Sequence, residues 1–376
     1  MRLNFFYLFS QSKGRYLWSV LLWFAWIAPA QASMQLRVAI AQGVNLIKVG
    51  SSTTAIVRDY SSGQTLGRIA AMDAFSVQPS AAGVALEQMR SGAILIEPIG
   101  SGYVYIGDRW YRGKALLIGG KKGLIAVNYV DLEQYLYSVL GSEMNGSWPQ
   151  EALKAQAVAA RTYAIYKLEN ERNVIYDVGN TEAWQVYKGV ESESSGTYAA
   201  VNATTGQVLT YRNQIILSVF HACSGGHTEN VEDVWSQTLP YLRGVDDYDQ
   251  NVSACQWEKT FSSNEISKRI SGVGNIVSLS ASLTTYGSVK TIKFIGDRST
   301  RELNGAAVRN ALGLKSTRFT ISEDPTGLKF YGRGSGHGLG MSQWGAYSLA
   351  KQGVNYQQIL RHYYQGTSLA RIQVEE

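Results

Sequence analysis

The chain has 376 residues, 45% hydrophobic and 17% charged, which supplies a core for one large domain or two ordinary ones and excludes a disordered protein. Its formal charge of +6 falls to +3 once Arg2, Lys13 and Arg15 of the first segment are set aside, so the basic balance is no argument for a nucleic-acid partner. Glycine (38) far outnumbers proline (6), and 23 Tyr with 9 Trp suit a turn-rich, strand-rich protein with aromatic surfaces.

That first segment holds three basic residues and no acid, then an apolar stretch over 17–28, Pro29 and the triplet Ala30-Gln31-Ala32. The order is that of a secretory leader over 1–32, cleaved after Ala32. The apolar run is short of the about 20 residues a membrane span needs, and an uncleaved anchor is the alternative. An exported protein of periplasm or cell wall is expected. In that setting Cys223 and Cys255 are expected to form a disulfide.

From 35 to 111, short apolar runs at 36–40, 93–96 and 103–106 alternate with Gly and Ser turns and predict a small β-rich region over 33–114 with no chemical constellation. A hairpin follows, 115–118 and 124–127 around Gly119-Gly120-Lys121-Lys122-Gly123, and is expected to open a second unit over 115–370. A helix is predicted over 131–140, ending in the polar, glycine-flanked turn Gly141-Ser142-Glu143-Met144-Asn145-Gly146. Ser147 and Gln150 have capping-box spacing, with Pro149 tolerated in the first turn of the next helix. There Leu153, Ala157, Ala160 and Ala164 make a narrow small-residue face, and Gln150, Lys154 and Arg161 a second stripe. Strands are predicted at 207–211 and 215–220 about a turn at 212–214. Helices are predicted near 342–352 and 356–364, the second capped by Asn355 with Gln358. The reading is an α+β fold, the second unit combining helices with antiparallel strands.

Several motifs fail. Every register of G-x-G-x-x-G in the loop 332–340 places a non-glycine at a required position, and Lys121 lacks the spacing of a P-loop. Four His without H-E-x-x-H spacing leave little for a metal centre, and bridged cysteines close the thiol-protease route. Ser224 and Ser335 have glycines on the wrong offsets for G-x-S-x-G.

Three blocks, in order, carry a resemblance. The first runs from Leu132-Glu133-Gln134-Tyr135-Leu136 through Ser142-Glu143-Met144 and Trp148-Pro149 to the helix 151–164. The second is Ser224-Gly225-Gly226 with Thr228-Glu229, 232–235 and Pro240-Tyr241-Leu242. The third is the loop 332–340 with Met341-Ser342-Gln343-Trp344-Gly345-Ala346, Lys351-Gln352-Gly353 and His362-Tyr363-Tyr364. Over roughly 115–370 the sequence resembles the stage II sporulation protein D (SpoIID/LytB) family. That resemblance implies a lytic transglycosylase that cuts the MurNAc–GlcNAc bond of peptidoglycan in a catalytic groove and leaves a 1,6-anhydro end, with Glu143 as the catalytic residue. Some members carry Cys and His zinc ligands in the loop matching 176–185. This loop has neither, so no metal is expected there, and no cofactor elsewhere. Related members enhance cell-wall amidases, which keeps a non-catalytic glycan-binding role as the alternative. A monomer acting on glycan strands, with an amidase as the further partner, is expected.

One carboxyl suffices for this chemistry because the nucleophile is the sugar's own C6 hydroxyl, whereas a hydrolase normally needs two. Met144 beside Glu143 offers apolar shielding that would favour the protonated acid. Lys154 and Arg161 are candidates to orient Glu143 or hold the lactyl carboxylate of MurNAc, a buried ion pair being the alternative for Arg161. His337, Ser342 and Gln343 are candidates to bond hydroxyl or N-acetyl groups, against a tight turn that packs the last helices. Trp344 and Trp235 are candidates to stack on sugar faces, against aromatic core. A true hydrolase would recruit a second carboxyl such as Glu229 or Asp233.

Overall fold

Short apolar runs between glycine turns dominate the first hundred residues after the leader. In the computed structural model, which describes residues 4–6, 34–171, 173–235, 237–325 and 327–373, they form strands. The expected leader lies outside the described residues apart from 4–6, a short strand beside Ser368–Gln373. The chain is α+β, with helices and mostly antiparallel strands. It divides into two bodies, one of Met1–Glu143, Ala164–Ile215 and Leu369–Glu376, the other of Met144–Tyr163 and Ile216–Ser368.

In the first body a seven-stranded sheet runs, edge to edge, through Val178–Gly179, Gln35–Val44, Gly123–Asp131, Lys114–Gly120, Ala93–Pro98, Ala55–Asp59 and Thr65–Ile69. A six-stranded sheet holds Ile47–Ser51, Ala74–Ser80 and their neighbours. The hairpin expected to open a second unit closes at Gly120 opposite Gly123, and pairs on one side with Ala93–Pro98 and on the other with Gln35–Val44. Strands on both sides of residue 114 therefore share one sheet.

Helix α1 (Leu132–Glu143) follows directly from this sheet. Asp131 Oδ1 accepts the Gln134 N–H at 3.0 Å, satisfying one free donor of the first turn. Leu132, Tyr135, Leu136, Val139 and Leu140 make a buried stripe at helical spacing. The helix runs three residues beyond the expected end, because Gly141 is not a stop. A Cβ built there would lie 1.8 Å from the Ser192 carbonyl oxygen, so the glycine admits the short helix Gly189–Ser192 against α1. Glu143 is thus the last helical residue rather than part of a free turn. Gly141→Ala should destabilise the protein by about 1–3 kcal/mol despite alanine's better helix propensity, read as a lower denaturant midpoint. An unchanged or higher midpoint would contradict this packing.

Helix α2 (Gln150–Asn170) buries every residue from 155 to 165, whatever the face. Small alanines permit that close packing. Ser147 does not cap it: its hydroxyl donates to Asn145 Oδ1 at 2.8 Å, and the Pro149 carbonyl receives the Leu153 N–H at 3.2 Å.

In the second body the segment expected as a strand at 215–220 is buried but joins no sheet over 216–219. Its polar groups bond instead to side chains, one backbone donor and one backbone carbonyl. The Leu217 N–H reaches Tyr241 Oη, Ser218 Oγ donates to the Ala159 carbonyl, and the Val219 carbonyl accepts from Tyr364 Oη and Met341 N. Two three-stranded sheets, of Gln256–Phe261, Gly327–Arg333 and Phe319–Asp324 and of Ile276–Leu283, Val289–Gly296 and Thr300–Asn304, enclose a core that includes Trp257, Ile292, Phe294 and Phe330. The closing helices are Gln343–Lys351 and Tyr356–Tyr363, the latter with the Asn355/Gln358 capping box.

Candidate functional site

In the first body the site is built at the end of α1. Glu143, half-buried, accepts the Val186 N–H at its Oε1 (3.3 Å). Val186 lies between two buried side chains, Gln185 and Tyr187, 1% and 2% exposed. Tyr135 Oη, two turns earlier on α1, donates to Gln185 Oε1 at 3.2 Å. Tyr187 Oη donates to Asn128 Oδ1 at 2.8 Å, and the Asn128 amide donates to the Arg112 and Lys114 carbonyls, so this buried Asn is satisfied on both ends. The loop begins with Asp177 clamped by Arg37 (2.6 Å). Neither the alternating burial of 185–187 nor the reach of Asn128 has a spacing signature, and sequence reasoning missed them.

In the second body the glycine loop 332–340 lies against His221. Gly334, Gly336, Gly338 and Gly340 all have positive φ, a left-handed residue at every second position. At Gly336 a Cβ would also meet His221 Cβ at 2.6 Å. His337, between two of these glycines, stacks near His221 (5.4 Å) and Trp235 (5.5 Å), and its Nδ1 accepts the Leu339 N–H. His221 Nδ1 donates to the Leu339 carbonyl at 3.0 Å, which leaves Nε2 as a bare acceptor, buried and without a partner among the described residues. Burial pushes His221 down to about 4, and burial together with the neighbouring His221 pushes His337 down to about 3.

His221 yields a pH prediction. The folded His221 refuses a proton that the unfolded chain accepts below about 6.5, so its contribution to stability is complete above that pH and is lost as pH falls towards about 4. The loss amounts to up to about 3 kcal/mol. Urea midpoints at pH 7 and pH 5 should show part of it, and His221→Gln should reduce the difference, the share of His337 remaining. An equal slope in that variant would remove His221 as the source.

A buried polar hub lies behind the loop. Ser224 Oγ donates to Asp247 Oδ2 at 2.6 Å, while Ser224 N and Gly225 N donate to Asp249 Oδ2. Tyr363 Oη donates to Asp247 Oδ1. Burial, then the adjacent Asp247 charge, raises Asp249 above the usual carboxylate range. Cys223 and Cys255 are disulfide-bonded, with Cα atoms 5.8 Å apart. Their sulfurs and an Asp249 oxygen form the one cluster of metal-type ligands among the described residues, but sulfurs bonded to each other are not thiolate ligands.

The sequence-derived candidates divide by exposure. Arg161 and Ser342 are fully buried. Ser342 accepts the Gly345 N–H and donates to Asp249, so it is placed as a helix cap rather than a sugar contact. Gln343 is 5% exposed. Lys154 pairs with Glu151 at 2.7 Å, and Glu151 in turn receives the Tyr356 N–H. Trp344 is half-buried and clusters with Trp148 (4.6 Å) and Tyr347 (5.3 Å). Of the spare carboxyls, Glu229 is 1% exposed and paired with Arg318, and Asp233 pairs with Lys290.

Glu143 is thus a helix-terminal acid bonded by a backbone donor in an α+β chain. Comparison with known proteins gives the family. The model of the SpoIID family, "Stage II sporulation protein", matches residues 120–211. Stage II sporulation protein D of Bacillus subtilis is 33% identical over 268 residues, 65% of this chain and 76% of that protein. A protein of Brachyspira hyodysenteriae is 35% identical over 264 residues, covering 69% and 72% of the two chains. The Bacillus subtilis protein named amidase enhancer is 34% identical over 290 residues, 62% of this chain but 40% of that relative. This chain belongs to the stage II sporulation protein D family.

Proposed function

We propose that the chain is exported and cleaves peptidoglycan glycan strands as a lytic transglycosylase, with Glu143 as acid and then base. The observation that carries this reading is the placement of Glu143, the last residue of α1, against the Val186 N–H. A peptide N–H can bond a carboxyl oxygen in either protonation state, so this donor can hold the group both before and after it gives up its proton.

The reaction balances without water. The Glu143 carboxyl gives its proton to the glycosidic oxygen as the bond to C1 of MurNAc breaks. The C6 hydroxyl then attacks C1, and its proton returns to the Glu143 carboxylate, closing the 1,6-anhydro ring. In the second body, Trp344, Trp148 and Tyr347 form a half-buried aromatic cluster of a kind that suits a pyranose face. Arg161 and Ser342 lie in the interior, Ser342 as the cap of Gln343–Lys351.

Mass spectrometry of purified glycan after incubation with the protein tests the reading. Anhydro ends are expected. Reducing ends would mean a hydrolase, and intact glycan combined with a stimulated amidase would favour the second reading, a glycan-binding enhancer, to which the similarity to the amidase enhancer points.

A further inference from the structure

We propose that Tyr135 and Gln185 are positioning residues for Glu143. The proposal rests on the function above only for its catalytic readout. A side chain at a helix end is free to rotate unless something outside the helix holds it. Here one holder is anchored to the same helix. Tyr135 and Glu143 both project from α1, and the loop is gripped by the first and reaches the second through two hydrogen bonds, Tyr135 Oη to Gln185 Oε1 (3.2 Å) and Val186 N to Glu143 Oε1 (3.3 Å).

The ring is α1, Tyr135, Gln185, Val186, Glu143 and back to α1. Its members cannot drift independently, because any movement of the loop along the helix stretches one bond or the other. Tyr135 and Gln185 are 0% and 1% exposed, so water does not compete for their bond. On the far side Tyr187 pegs the next residue to Asn128, itself fixed to the strand pair Lys114–Gly120 and Gly123–Asp131. Val186 is left as the outward residue between two pegs, and its N–H is aimed rather than merely available.

Tyr135→Phe and Gln185→Leu each remove the grip while keeping most of the buried volume. The Val186 amide proton, observed by NMR in the full chain without substrate, should change shift with pH in the wild type, and this response should vanish in Glu143→Gln. In Tyr135→Phe and Gln185→Leu it should fall by at least half. On glycan, kcat should drop about 10- to 100-fold with KM held within about twofold, as expected when a reacting group is misplaced while binding is kept. The double variant should be no worse than the worse single, since both act through one bond. Persistence of the amide response in both single variants, at unchanged melting temperature, overturns the proposal whatever the activity does. Loss of the response in both single variants, with a wild type that shows it but cuts no glycan, would uphold the positioning role and reject the proposed reaction.

Discussion

Glu143→Gln should lower the yield of anhydro-ended glycan by about 10²–10⁴-fold, the range of general acid–base help, equivalent to about 3–5 kcal/mol of barrier. The substitution is suited to the question. Glutamine keeps the length of the side chain and an amide oxygen that can still accept the Val186 N–H, so the end of α1 and the loop at 185–187 should remain as they are. Binding of intact glycan should be retained within a few-fold. What is removed is the capacity to carry a proton at neutral pH. A smaller Glu143→Asp change keeps the proton but retracts the carboxyl by one methylene, and should recover part of the rate. Equal anhydro yields from wild type and Glu143→Gln, measured by quantitative mass spectrometry, would exclude this residue as the proton carrier even if the reaction itself were confirmed.

The sequence made α1 legible because its apolar residues fall on one stripe, and made the helix Tyr356–Tyr363 legible because Asn355 and Gln358 form a reciprocal cap. It misplaced the end of α1 because a glycine that admits another backbone looks the same as a glycine that stops a helix. Only the Ser192 carbonyl distinguishes them. The segment 216–219 read as strand because it is apolar and extended, and the side-chain and backbone partners that replace its ladder come from distant residues such as Tyr241, Tyr364 and Met341. The strand Ile276–Leu283 alternates apolar residues with Ser278, Ser280 and Ser282, a strand period that sequence reasoning passed over. The same division runs through the site. Glu143 could be named from a motif, whereas Gln185, Tyr187 and Asn128 act through contacts of long sequence separation. Ser342 and Arg161, named from the same motifs, are interior residues, because a block shared by a family marks packing as readily as chemistry.

Breaking the disulfide should have the largest effect on stability. Cys223 and Cys255 are 32 residues apart, and in the chain-entropy account closing a loop of that length is worth roughly 3.5–4 kcal/mol. For a body of this size that corresponds to a fall in melting temperature of roughly 8–15 °C. The consequence is directed at the glycine loop. Cys223 exchanges both backbone hydrogen bonds with Ser335, at 3.0 and 2.8 Å, and the Cys255 carbonyl accepts the Gly334 N–H at 2.6 Å. The bond therefore joins the two segments on which the approach to His337 is hung. The Cys223→Ala/Cys255→Ala variant should melt earlier, and its amides at 334–340 should exchange with solvent faster than those of α1, which is tied down by other contacts. Wild type under reductant should follow the variant. Two titratable thiols in the denatured, unreduced wild-type protein, or coincident melting curves for wild type and variant, would show that the bond contributes nothing to holding this loop.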